Sequence, residues 1–240
     1  MIDIHCHIIH NVDDGPSNIE DSMRMILEAA KLGIQSIVTT PHYHKNVYNP
    51  EKVVDNFNEI KLKSKNLGIE LFLGYEVFLS TSLSDIIFEK NKYTLNNSKY
   101  LLFELPFKIM PIGINDTIQK LHCEGLVPII AHPERNMYFV RYIDKFIDLI
   151  ASPCLVQLDA ASIAGAYGFT IKRFTKKLTK LNLVNFVASD AHKPEDYCEW
   201  YKKAFENVKN WAGEEYCNRV FGVNQSVIIN SSPPYRTKTF

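Results

Sequence analysis

The 240-residue sequence has no apolar run near the roughly 18 residues that a membrane-spanning helix needs, no Cys-x-x-Cys pair, and no Gly-, Ser- or Pro-rich linker. It also lacks a charge imbalance, since 27 Lys and Arg meet 27 Asp and Glu. A neutral chain has no long-range field to gather nucleic acid or a membrane surface, so any anionic ligand must be attracted locally. The five cysteines, at positions 6, 123, 154, 198 and 217, are odd in number and scattered, as expected of reduced core residues in the cytoplasm. Met1 runs straight into an apolar strand, so a cleaved leader would carry away His5 and His7. These absences predict one cytoplasmic domain over residues 1–230, a flexible tail over 231–240, no stable membrane insertion and no nucleic-acid partner.

What is present repeats. Three helical patterns end on Gly33, Gly68 and Gly125, each followed by a β-rich run, and a fourth uses Asn182, the next residue most tolerant of the left-handed stop. Adding Ile2 to His5, Lys99 to Phe103 and Cys154 to Leu158 gives seven expected strands. Helical patterns fall near 17–32, 51–66, 112–123, 136–151, 168–181 and 194–210. Alternation at this spacing predicts an α/β fold with a parallel sheet, either doubly wound or closed as a barrel.

The residues that end the strands bear on that choice. Strand one ends in His5-Cys-His7, followed by Asp13-Asp14-Gly-Pro; in an extended strand the two imidazoles share a face. The next ends are Pro41-His42-Tyr43-His44, Gly74-Tyr75-Glu76, Phe103-Glu104, His132-Pro-Glu-Arg135 and Asp190-Ala-His192. Six of seven strands thus close on a histidine or a carboxylate, and a barrel that gathers its site from many strand ends accounts for all six. The expected fold is therefore a distorted TIM-like (β/α)7 barrel. Nine candidate ligands result: His5, His7, Asp14, His42, Glu76, Glu104, His132, Asp190 and His192. Nine are too many for one ion, and a thiolate-free mixture of imidazole and carboxylate suits two or three divalent cations, manganese, iron or zinc. Four carboxylates against three such ions leave a local charge of about +2, enough to draw in a phosphate.

In combination and order, Met-Ile-Asp-Ile-His-Cys-His, Val-Asp-Asp-Gly-Pro, Thr-Pro-His-Tyr-His, Gly-Tyr-Glu, Phe-Glu-Leu-Pro, Ala-His-Pro-Glu-Arg-Asn and Ala-Ser-Asp-Ala-His resemble the polymerase-and-histidinol-phosphatase superfamily. The chain is most similar there to the metal-dependent protein-tyrosine phosphatases of bacterial capsule and exopolysaccharide operons. The resemblance implies a trinuclear centre on the nine ligands above, most often manganese, with Arg135 binding phosphate. It also implies a phosphotyrosine substrate on the C-terminal tail of a bacterial tyrosine autokinase. The stretch Gln157 to Gly168 is similar to the family's glycine-containing loop, while segments 80–85 and 106–115 and the residues after Asn224 depart from the pattern.

Cysteine-based tyrosine phosphatases need an arginine six residues after the nucleophile. Here the corresponding residues are Val12, Ile129, Ala160, Ala204 and Val223, which excludes the thiolate route. The expected nucleophile is a hydroxide bridging two ions, with Arg135 gripping the phosphoryl oxygens through its planar fork. His44 is the candidate general acid and His10 a lesser one. Tyr43, Tyr48, Phe107 and Tyr138 can flank a phosphotyrosine ring or simply pack in the core or rim. Asp3 is expected either to orient a ligand imidazole or to serve the buried strand, Asp13 to shape a turn, and His122 to lie on the surface. A small-molecule phosphatase of the histidinol phosphate type and a metal-binding regulatory domain without turnover are the competing readings.

Overall fold

A computed structural model describes residues 1–43, 49–79, 86–87 and 89–230. His44, Tyr48, segment 80–85 and the tail 231–240 lie outside the described residues. Among the described residues nine parallel strands follow in chain order: β1 Ile2–Asp3, β2 Ser36–Thr39, β3 His42–Tyr43, β4 Glu70–Leu73, β5 Glu76–Phe78, β6 Tyr100–Glu104, β7 Val127–Ala131, β8 Leu155–Asp159 and β9 Phe186–Ala188. They form two sheets, ordered β1-β2-β4 and β3-β5-β6-β7-β8-β9.

The excess over the seven expected strands has a local cause. Pro41 has no N–H to donate, so the ladder lapses after Thr39 and resumes at His42, making β2 and β3 one interrupted strand. Its neighbour breaks likewise between Leu73 and Glu76. At Gly74 a Cβ would sit 2.9 Å from Cα of Leu95, so only glycine lets the turn Leu95–Asn97 pack against β4. That turn occupies the edge of β4, and β6 pairs only with β5 there. The remaining seam is between β1 and β9. One parallel bridge, Cys6 with Ala191, joins them, together with His7 N–H to the Ala191 carbonyl (2.8 Å) and Asp190 N–H to the His5 carbonyl (2.9 Å). The result is a TIM-like barrel, distorted by two broken strands and a thin seam.

The helix stops fall where expected, with Gly33, Gly68 and Gly125 at φ 78°, 71° and 80° and Asn182 at 62°. Two helical spans differ. The pattern over 136–151 breaks into Met137–Arg141 and Ile143–Ile150 around Tyr142, whose φ, ψ of −124°, 69° are not helical. The pattern over 194–210 begins at Pro194, passes through a π-helical turn at Tyr197–Tyr201 and runs on to Ala212. Short helices at Ala160–Ala164, Glu214–Asn218 and Asn224–Asn230 had no periodic signature, because none is long enough to show one.

Inside the barrel, the alternation of a strand separates two roles. Leu101, Phe103, Ile130, Val156 and Leu158 face the helices, whereas Val38, Leu102, Ile129, Ala131, Phe186 and Ala188 fill the interior with Ile4, Leu95 and Ile228. Ile228 comes from the last helix, Asn224–Asn230, which is tied to the barrel by Asn224 Nδ2 on the Asn185 carbonyl (2.7 Å) and Asn96 Nδ2 on the Ile229 carbonyl (3.0 Å).

Candidate metal centre

One pleat beyond the apolar plug, the inward residues become polar. Leu102 is followed on its face by Glu104, Ala188 by Asp190, and Leu155 by Gln157 and Asp159. His132 and Asp190 leave their strands in the left-handed region, at φ 31° and 49°, a conformation costly for residues with a Cβ and concentrated at functional sites. It turns both side chains into the mouth.

Glu76, fully buried, is the hub. Its Oε1 accepts from His132 Nε2 at 2.7 Å. Its Oε2 lies 3.0 Å from His42 Nδ1 and 3.4 Å from Nε2 of both His5 and His7, yet it makes no hydrogen bond. Asp190 Oδ1 is 3.2 Å and 3.4 Å from the same two Nε2 atoms. Asp14 Oδ1 stands 3.4 Å from His42 Nε2 and 3.3 Å from His192 Nε2. Glu104 Oε1 completes the ring, 3.6 Å from His42 Nδ1.

The outward ring nitrogens fix the tautomers. His5 Nδ1–H donates to Gln157 Oε1 (2.9 Å), His7 Nδ1–H to Asp13 Oδ2 (2.7 Å), and His192 Nδ1–H to the Asp190 carbonyl (2.8 Å). Each therefore turns its Nε2 inward, as a lone pair when the ring is neutral, and those of His5 and His7 meet at 3.3 Å. Two facing lone pairs beside an unsatisfied carboxylate oxygen are stable only with positive charge between them. Among the described residues four overlapping groups can chelate: His7, Asp14, His42 and His192; His5, His7 and Asp190; His5, Glu76 and His132; His42, Glu76 and Glu104. All nine expected side chains are thus gathered, and the donor set fits a polynuclear divalent-cation centre.

Electrostatics tell the same story. Burial opposes a charged His5, but Glu76 and Asp190 outweigh it and hold the imidazole at about 9. Burial likewise opposes charge on His42, yet Asp14 and Glu76 raise it to about 10. His192 and His42 hold the Asp14 carboxyl well below its ordinary value. Glu104, raised by burial and then by the charge of Glu76, reaches about 7. The carboxylates outnumber the cations they need, and protons on imidazole fill the deficit.

Arg135 stands at the rim with Nη1 on Asp190 Oδ2 at 2.7 Å, its Cζ 4.9 Å from the Phe107 ring centroid and 5.1 Å from that of Tyr167. Tyr43 is buried against Tyr93, ring centroids 4.3 Å apart, and also lines a cavity of about 640 Å³ with Asp14, His42, Phe78 and Glu104. Tyr138 packs on Tyr142 and Phe139. His10 faces Glu59 (3.6 Å) on the helix Pro50–Lys63.

Two residues carry more than their sequence context suggested. Asp13 does shape a turn, its Oδ1 accepting from Gly15 N–H, but its Oδ2 also orients His7 and accepts from His42 N–H. Gln157 opens the loop stretch noted above but had no role assigned to it; an amide inside an apolar strand was the available signal, and His5 gives it a partner. Among the described residues Asp3 bonds to no imidazole ring. Its Oδ1 accepts from Ser189 N–H (3.0 Å) and its Oδ2 from Tyr197 O–H (2.8 Å), which places it in the β1–β9 seam.

A family model described as capsular polysaccharide synthesis, CpsB/CapC, matches residues 1–230. A protein named putative tyrosine-protein phosphatase CapC, from Staphylococcus aureus, is 39% identical over 196 residues, 80% of this chain and 77% of that one. The crystal structures of YwqE from Bacillus subtilis and CpsB from Streptococcus pneumoniae, described as unique metal-dependent tyrosine phosphatases, include a chain that superposes with a TM-score of 0.88. That chain is 29% identical, with 98% of this chain and 96% of the other covered. Histidinol phosphate phosphatase from Lactococcus lactis, at 12% identity and a TM-score of 0.60 over 89% of this chain and 94% of its own, shares the fold alone.

Proposed function

This chain belongs to the CpsB/CapC family of capsular polysaccharide synthesis proteins, and from that premise we propose that it is a metal-dependent tyrosine-protein phosphatase. The observation that carries the reading is the convergence of the inward Nε2 atoms of His5 and His7 on the unsatisfied Oε2 of Glu76. Two or three divalent ions, manganese by preference, would be held by His5, His7, Asp14, His42, Glu76, Glu104, His132, Asp190 and His192. When bound, they supply Lewis acidity and an ionised water near neutral pH.

The chain's own residues do the rest. Glu76 spans the groups and keeps their donors at fixed spacing. Gln157 and Asp13 hold His5 and His7 in the tautomers that leave Nε2 free to coordinate. Among the described residues only Nη1 of Arg135 is tied, to Asp190, so the remaining donors of the fork face the phosphoryl oxygens and balance the charge that builds on them. Phenolate, with a pKa near 10, leaves with little help from an acid, and His44 is the proposed donor of what help there is. The substrate we propose is the phosphorylated tail of a bacterial tyrosine autokinase, met in the cytoplasm.

Metal analysis and a phosphotyrosine-peptide assay on the same preparation test this. Hydrolysis should vanish on complete chelation and return with manganese. Undiminished hydrolysis by the chelated protein, or a preference for histidinol phosphate over the peptide, would refute it.

A further inference from the structure

Phe107 and Tyr167 each leave close to half of their surface exposed (45% and 46%), although both sit on well-anchored backbone. Phe107 is held to the arginine segment itself. Its carbonyl accepts Met137 N–H at 2.7 Å, and Asn136, next to Arg135, clasps the carbonyls of Pro106 and Ile109 at 2.6 and 2.9 Å. Tyr167 is held by a different segment. The helix Ala160–Ala164 is capped by Asp159 Oδ1 on Ala161 N–H, and Gly165, at φ 103°, turns the chain so that Tyr167 meets the guanidinium. Neither ring belongs to the buried core. What they share is Arg135, which lies within 5.1 Å of both centroids, and the Phe107 ring stands 6.2 Å from that of His132.

A flexible cation between two aromatic faces is fixed in direction, and here Asp190 fixes its third side. The rings still have free surface at the mouth. An ester whose phosphoryl group reaches Arg135 must carry its leaving group past them, and a phenyl ring gains contact there that a short alkyl chain does not. We infer that Phe107 and Tyr167 are specificity-determining residues, a clamp on Arg135 whose outer edges favour aryl over alkyl phosphate esters. The inference rests on the phosphatase reading above and adds the basis of its selectivity.

Non-hydrolysable anions separate the two. Calorimetry on the manganese-loaded protein compares phenylphosphonate with methylphosphonate for the wild type, Tyr167→Ala, Tyr167→Phe and Phe107→Ala, with metal content measured on each. Hydrolysis of matched phosphotyrosine and phosphoserine peptides is followed in parallel. Tyr167→Ala should reduce the phenyl-over-methyl affinity ratio roughly five- to tenfold, and Tyr167→Phe should keep it within about twofold. Equal loss of both phosphonates, or an unchanged ratio, overturns the inference while wild-type phosphotyrosine hydrolysis leaves the phosphatase reading standing. A ratio that falls as expected in a protein inert toward phosphotyrosine overturns the phosphatase reading instead.

Discussion

The two halves of the barrel interior are built from the same strands and answer to opposite demands. In the lower half Val38, Leu102, Ile129, Phe186 and Ile228 pack as a plug of buried apolar side chains. In the upper half, a pleat away, Glu104 and Asp190 join His5, His7 and Glu76 in a cluster with facing lone pairs, a lone carboxylate oxygen and two residues at positive φ. The lower half holds the fold together through burial, which needs no partner beyond itself. The upper half is a set of unmet demands kept in place by the lower. Residues in the first should matter to stability and leave the chemistry alone, and residues in the second the reverse.

The sharpest test of that division is the hub. Glu76→Gln removes the charge shared by His5, His7, His42 and His132, so manganese-dependent kcat/KM should fall by ~10³-fold or more, several kcal/mol of transition-state stabilisation. The melting temperature of the chelated protein should fall only by the stabilisation that Glu76 lends to charged His5 and His42, a fall that fades as the pH climbs through 9 to 10; a large drop persisting at high pH would mean that the cluster also supports the fold. From the other side, Ile228→Ala empties part of the plug and should cost about 2–4 kcal/mol in denaturant unfolding, with kcat/KM per folded molecule unchanged. Lost turnover at constant folded fraction would break the comparison. Gln157→Leu probes the border: it keeps volume but frees His5 Nδ1, so metal affinity by competition titration should weaken ~10- to 100-fold.

The smallest effect concerns pH. In the chelated protein His5 and His42 are held at about 9 and about 10, above their ordinary value. Raised values in the folded state give a stabilisation that is complete below about pH 6.5 and is lost as pH climbs through 9 to 10. Coordination needs the neutral imidazole, so the stabilisation from added manganese should grow over that same interval. Melting curves with chelator and with manganese should therefore diverge as the pH rises; parallel curves would show that these imidazoles take no part.

Much of the upper half could be read from the chain because ligand chemistry is tied to residue type and strand ends to glycine stops. Glu76, Glu104 and Asp190 each follow an apolar run whose period of two sets their direction, whereas His132 owes its direction to a left-handed backbone. What escaped was whatever depends on a distant partner. Gln157 acquires meaning only beside His5, and Tyr167 only beside Arg135, 32 positions earlier in the chain. The breaks at Pro41 and Gly74 were invisible for a related reason, since the turn Leu95–Asn97 that presses on Gly74 arrives from a segment without periodicity. Asp3 shows the limit most plainly: the chain left imidazole support and a buried-strand role both open, and its carboxylate takes the second, binding Ser189 and Tyr197.

The thin seam between β1 and β9 also sets an order of events in time. Cys6 and its bridge partner Ala191 lie 185 positions apart in the chain. During synthesis His5 and His7 wait for Asp190 and His192, so a ribosome-bound chain cannot present the complete cluster until nearly the whole domain has emerged. Contacts so far apart in sequence form slowly and late. The complete cluster is therefore available to a metal only after that seam has closed.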